Sequence, residues 1–198
     1  MNFINDGAHI QNNLISSELC DVVSKYALLK ETSNFTPEQC LERPNTHSVY
    51  GDELMESMLV YLQPKLENLT NTDLLPTYSF YRVYRHNDSL PVHKDRPACE
   101  VSVTVCFDYN YISSSQEYNW PLYIQLKDGK TILTPSTKGA GVIYEGTELK
   151  HWRDAFTAEE GSYQVQGFFH YVRKHGKYSA LKYDSRPGLG MPINSRII

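Results

Sequence analysis

The chain has 198 residues, of which 40% are hydrophobic and 21% charged. That composition supports the core of a single domain (1–198) and excludes a disordered or collagen-like chain. No run approaches the roughly 20 apolar residues needed to cross a bilayer, and the opening stretch MNFINDGAHIQNN is too polar for a signal-peptide core, so a soluble cytoplasmic protein with no membrane partner is expected. Four cysteines without a CxxC pair read as reduced thiols. Tyrosine is in excess, at 15 against 7 Phe and 2 Trp, and 12 of the 15 follow residue 76. The net charge of −4 gives no support for nucleic acid. It is also unevenly placed: residues 1–75 carry 4 Lys/Arg against 11 Asp/Glu, and residues 76–198 carry 15 against 12. An anion is better accommodated in the second part.

Leu19, Val22, Val23, Tyr26 and Leu29 follow helical spacing behind Ser16 and Ser17 as caps. Residues 32–50 read as loop. A second amphipathic helix spans 52–70 through Leu54, Met58, Tyr61, Leu62, Leu66 and Leu69, with a kink or interruption expected at Pro64. From residue 77 the texture changes to short runs rich in Tyr, Val and Thr. Strands are predicted at 78–85, 100–107, 120–127, 130–134, 141–145, 149–153 and 162–173, with a hairpin turn at Lys127–Lys130. The fold class is therefore mainly β with N-terminal helices. Helical support (1–75) precedes an antiparallel barrel or sandwich (76–173) and an irregular C-terminal arm (174–198).

His93 and Asp95 lie two apart at the edge of a strand, so in extended chain both point to one side. His151 sits in another predicted strand, 56 residues past Asp95. Two histidines and one carboxylate on one face of a metal, with the other positions open, is the arrangement associated with non-haem Fe(II).

The segment Y-x-x-N-D-x-L-x-x-H-x-D (Tyr84 to Asp95), the strand EVSVTVCF, and the runs GAGVIYEGTELKHW and QVQGFFHYV together resemble the Fe(II)/2-oxoglutarate-dependent dioxygenases, nearest to their prolyl-hydroxylase-like branch. The resemblance covers about Tyr78 to Tyr171. It implies a double-stranded β-helix (jelly-roll, cupin-like) core and His93, Asp95 and His151 as iron ligands. It further implies Fe(II), 2-oxoglutarate and O2 as cofactor and cosubstrates, with ascorbate as a candidate auxiliary reductant. The implied reaction is hydroxylation of a C–H bond, on a peptidyl or free amino acid, with release of succinate and CO2. No catalytic residue beyond the metal ligands is needed.

One part of the pattern is missing. The family anchors the far carboxylate of 2-oxoglutarate on Arg or Lys about ten residues after the second histidine, whereas 159–166 read Glu-Glu-Gly-Ser-Tyr-Gln-Val-Gln. Another base must then supply the charge. Alternation places Arg82 on the same strand face as Tyr84, and Arg153 on the same side as His151. Arg82 is preferred to Arg153, with His170 and Lys94 behind them. Thr104 and Gln166 fall on the pocket side of their strands. Arg96 and Glu100 are expected to pair and hold the HxD loop. Two other readings stay open at this point: a mononuclear metal enzyme on the same barrel that does not use 2-oxoglutarate, and a non-catalytic binding barrel.

Overall fold

Side-chain caps start the helices of the computed structural model, which describes residues 2–33, 47–114, 118–134 and 136–192. Asn2 caps a single turn, α1 (Phe3–Asp6). The Ser16 hydroxyl accepts from the Leu19 amide ahead of α2 (Ser17–Thr32), and the Asp52 carboxylate accepts from Leu54 and Met55 ahead of α3 (Glu53–Thr70). Each satisfies amides that have no partner inside the helix.

The buried stripes differ from the predicted ones by a small rotation. In α2 the face is Cys20, Val23, Ser24 and Ala27, while Val22 and Leu29 are exposed. Small side chains at i, i+3, i+4 and i+7 let this helix lie close to the sheet. In α3 Met55, Leu59, Leu62 and Leu66 go inward and Tyr61 is exposed. That helix also runs on through Pro64, so the interruption does not occur. Both Pro64 and Val60 face solvent, so the Val60 carbonyl that loses its donor is open to water.

Among the described residues, ten strands form two antiparallel sheets: β1 (Ala8–Gln11), β2 (His47–Tyr50), β3 (Leu74–Tyr84), β4 (Leu90–His93), β5 (Val101–Asn110), β6 (Leu122–Gln125), β7 (Thr131–Thr134), β8 (Gly141–Tyr144), β9 (His151–Arg153) and β10 (Tyr163–Arg173). The major sheet runs β1-β8-β5-β10-β3-β2 and the minor sheet β4-β9-β6-β7. All seven predicted strands are present. β2 corrects the loop expected over 32–50, of which 34–46 lie outside the described residues. The predicted hairpin closes between β6 and β7, where Leu126 and Gly129 bond across the turn and Gly129 takes the left-handed conformation.

Alternation on β5 assigns the two faces of the major sheet. Val101, Val103 and Val105 pack with Tyr81, Val83, Phe169 and the inner faces of α2 and α3, giving the larger core. Ser102, Thr104 and Cys106 point the other way, into the space between the sheets. A second core of Ala8, Leu122, Ile124, Val142, Tyr144 and Leu149 joins the sheets at one end. Cys20, Cys99 and Cys106 are free and buried, as expected for thiols; Cys40 lies outside the described residues.

The C-terminal arm is more firmly held than its composition predicts. After a turn at Ser179–Ser185, the Arg186 guanidinium reaches the Glu56 carboxylate of α3 at 2.5 Å, with side chains only 1% and 3% exposed. The same guanidinium donates to the Thr77 and Met191 carbonyls, and Glu56 also accepts from the Gly190 amide. Breaking such a pair strands a buried charge. Arg186→Ala is expected to destabilise the protein by about 3–5 kcal/mol, read as a lowered urea midpoint.

Candidate metal centre and cosubstrate pocket

β4 and β9 pair so that His93 stands directly opposite His151, and Asp95 follows His93 by two residues. One donor atom from each of His93, Asp95 and His151 lies within 4.8 Å of the others. Asp95 Oδ1 is 3.5 Å from His93 Nε2 and 3.4 Å from His151 Nε2. Each imidazole has a backbone carbonyl two residues before it: Pro91 at 2.8 Å from His93 Nδ1 and Leu149 at 3.1 Å from His151 Nδ1. An Nδ1–H donated to those carbonyls turns the Nε2 lone pairs toward Asp95. A carboxylate oxygen facing two such nitrogens requires positive charge between them, and a divalent cation fits that donor set. Without a cation, a proton on the facing nitrogens takes its place: burial alone would push the Asp95 carboxyl up, but hydrogen bonding to the protonated His151 and His93 rings prevails and holds it well below the usual carboxylate range.

The three donors line a cavity of about 430 Å³. Its walls are aromatic, from Tyr50, Tyr78, Phe80, Tyr144 and Phe168, and its rim carries an ion pair. There the Arg96 guanidinium donates twice to the Asp184 carboxylate, at 2.6 Å each, and Tyr50 donates to the same carboxylate at 2.5 Å. Tyr183, Asp184 and Ser185 all adopt positive φ without being glycine, so this strap is strained where it meets the cavity. The expected Arg96–Glu100 pair does not form. Arg96 belongs to Asp184, whereas Glu100 accepts from Arg173, which also reaches Glu145.

Arg153 lies two residues along β9 from His151, on the same face, and is 3% exposed. Its Nη1 donates to the Trp120 carbonyl at 2.6 Å and its guanidinium lies over the Trp120 ring at 4.6 Å. Its Nε has no hydrogen-bond partner, and neither does the buried hydroxyl of Tyr84, whose ring is 5.8 Å away. Burial pulls the guanidinium below its ordinary pKa, and no carboxylate lies close enough to form an ion pair with it among the described residues. Thr104 and Gln166 line the same small interior void as Arg153 and are joined to each other, Gln166 Nε2 donating to Thr104 Oγ1 at 2.5 Å. Arg82 is also buried, but it faces the larger cavity, donates from Nε to Ser48 Oγ at 3.1 Å, and lies over the Phe80 and Tyr84 rings at 5.3 Å. His93, Asp95, His151, Arg82, Tyr84 and His170 thus line the larger cavity and Arg153, Thr104 and Gln166 the small void, whereas Lys94 lines neither. The reading missed Gly146 and Asp184, neither of which carries a local sequence signal.

No family model matches the sequence, and no curated protein matches it. Among solved structures, a Pseudomonas putida prolyl-4-hydroxylase superposes with a TM-score of 0.62 at 14% identity, covering 85% of this chain and 94% of that one. SnoN from nogalamycin biosynthesis, a non-heme alpha-ketoglutarate-dependent epimerase, gives 0.64 at 11% identity over 96% and 89%. EctD from S. alaskensis, solved with 2-oxoglutarate and 5-hydroxyectoine, gives 0.63 at 14% identity over 86% and 73%. The chain has the fold of the 2-oxoglutarate–Fe(II) oxygenases. Its two sheets are the expected double-stranded β-helix, and the resemblance read in the sequence is borne out at the level of fold. No described helix is long and apolar enough to cross a membrane.

Proposed function

We propose that the protein is an Fe(II)- and 2-oxoglutarate-dependent dioxygenase that hydroxylates a C–H bond of a peptidyl or free amino acid. Fold alone does not assign chemistry, so the reading rests on the site. The carrying observation is the pairing of two features: a His93–Asp95–His151 donor set, and a buried Arg153 with an open Nε beside the open hydroxyl of Tyr84. A buried cation without a carboxylate is costly unless an anion is meant to join it.

His93, Asp95 and His151 would hold the iron by three positions and leave the others open. When bound, the iron supplies the O2 chemistry that couples decarboxylation of 2-oxoglutarate to succinate with oxidation of the substrate. Arg153 Nε and the Tyr84 hydroxyl would bind the far carboxylate, one strand repeat of about 6–7 Å along β9 from His151. Thr104 and Gln166 fix the polar wall beside it. Arg153 is favoured over Arg82 because its buried Nε is left without a partner, whereas the Nε of Arg82 donates to Ser48. The aromatic cavity would enclose a small side chain and exclude water from the donor cluster.

The test compares 2-oxoglutarate with 2-oxobutyrate, which has the keto acid but no far carboxylate, using iron-loaded protein in air. CO2 release is the readout common to both: it is expected from 2-oxoglutarate, with succinate as the other product, and at least 10-fold slower at equal concentration from 2-oxobutyrate, which would leave propionate. Metal binding without dependence on either keto acid would establish instead a metal enzyme of another kind. Failure to bind Fe(II) or Mn(II) would leave only a binding barrel.

A further inference from the structure

The Asp95 carboxylate has a second oxygen that the donor cluster does not use. Its Oδ2 accepts from the Ser102 hydroxyl at 2.8 Å, and Ser102 Oγ is in turn 3.0 Å from His170 Nδ1. A serine hydroxyl has one proton. With that proton given to Asp95, the shorter of its acceptor contacts, the ring Nδ1–H of His170 must donate to Ser102. Ser102 and His170 are directly opposed residues of β5 and β10, two central strands of the major sheet. The order of the chain is thus cavity wall, His170, Ser102, Asp95, donor cluster, since the His170 ring itself lines the cavity.

Two further features hold this arrangement in one geometry. The Asp95 amide donates to the Gly146 carbonyl at 2.9 Å, and a Cβ at Gly146 would stand 2.3 Å from Asp95 Oδ2 and 2.6 Å from Ser102 Oγ. Only glycine leaves room for the bond between them. The His170 ring lies on Tyr78 at 4.5 Å between centroids, which restricts its rotation. A carboxylate on a short loop would otherwise rotate freely and present either oxygen, or both.

We infer that Ser102 and His170 are positioning residues that fix Asp95 as a one-oxygen donor and connect the cavity wall to it through two hydrogen bonds. This rests on reading His93, Asp95 and His151 as metal ligands. Neither residue would touch the metal; each acts through Asp95. A molecule in the cavity that presses on His170 would alter the donor field through Ser102.

The test measures Mn(II) affinity, and the visible absorption of the Co(II) form, for the wild type and the variants Ser102→Ala, His170→Phe, His170→Asn and the double variant Ser102→Ala/His170→Phe. Ser102→Ala is expected to weaken Mn(II) by about 10–100-fold and to shift the Co(II) bands. His170→Phe keeps the ring contact but removes the donor, and should weaken binding by several-fold. His170→Asn, which restores a donor near the Nδ1 position, should recover most of that loss. The double variant should bind no worse than Ser102→Ala alone, because His170 acts only through Ser102. Additive losses, or affinity and Co(II) spectra unchanged in both single variants, overturn the relay. A wild type that binds neither metal overturns the ligand reading itself, a separate result. Thermal denaturation of each metal-free variant identifies any that fail to fold; the His170→Phe and His170→Asn comparison then carries the test.

Discussion

His151→Ala is expected to abolish stoichiometric Mn(II) binding at concentrations where the wild type saturates, a loss beyond the 10–100-fold typical of removing a group one shell out. The ring is 2% exposed, stands opposite His93 across the β4–β9 pair, and packs edge-on against Tyr144 at 4.8 Å. Alanine removes one of three donors and leaves Asp95 facing a single imidazole. The metal-free fold should lose only about 1–3 kcal/mol, as for an ordinary buried truncation. Metal dependence separates the two effects: the wild-type melting temperature should rise with Mn(II) concentration, and that of the variant should not. A variant that is still stabilised by Mn(II) to the wild-type extent would remove His151 from the donor set.

Arg153→Met should move stability and binding in opposite directions. The guanidinium is buried without a carboxylate, and methionine fills similar space without desolvating a charge. The Trp120 carbonyl that loses Arg153 keeps the Ser136 hydroxyl at 2.6 Å, so no acceptor is stranded. The metal-free variant is therefore expected to gain about 1–3 kcal/mol in urea denaturation. Its affinity for 2-oxoglutarate should fall by about 30-fold or more, since a charge-assisted contact worth about 2–5 kcal/mol is lost. Mn(II) affinity should be unchanged. The parallel Arg82→Met variant decides between the two bases: if it alone loses 2-oxoglutarate, the anchor is Arg82. Equal stability and unchanged keto-acid binding in Arg153→Met would refute the anion site.

How much of this was legible in the sequence depends on the distance over which each feature is encoded. The His93–Asp95 pair and the inward faces of β5 and β10 follow from a two-residue alternation, which local sequence carries. The same rule placed Arg153 beside His151. It does not rank Arg153 against Arg82, because what separates them is the company each guanidinium keeps once buried. β1, β2 and β4 are four residues long and went unpredicted, but length is not the reason, since β6 to β9 are no longer. The pairing of Arg96 with Glu100 was read from proximity in sequence, yet both charges are taken by residues more than 70 positions away. Ser102 and Gly146 look like any strand serine and any turn glycine until the carboxylate between them is placed.

The Glu56–Arg186 tie also has a temporal meaning. Synthesis proceeds from the N-terminus, and every strand of both sheets, with all three donors and Arg153, precedes Tyr178 in the chain. The barrel can therefore pair its strands while Glu56, already part of α3, still lacks its cation. The arm that brings the Arg186 guanidinium and the Gly190 amide to Glu56 is also part of what encloses that carboxylate, so its charge and its cover arrive together. The segment that completes the cavity rim is thus also the one that gives α3 its buried cation. In order of synthesis the donor set comes first and the residues of the rim last.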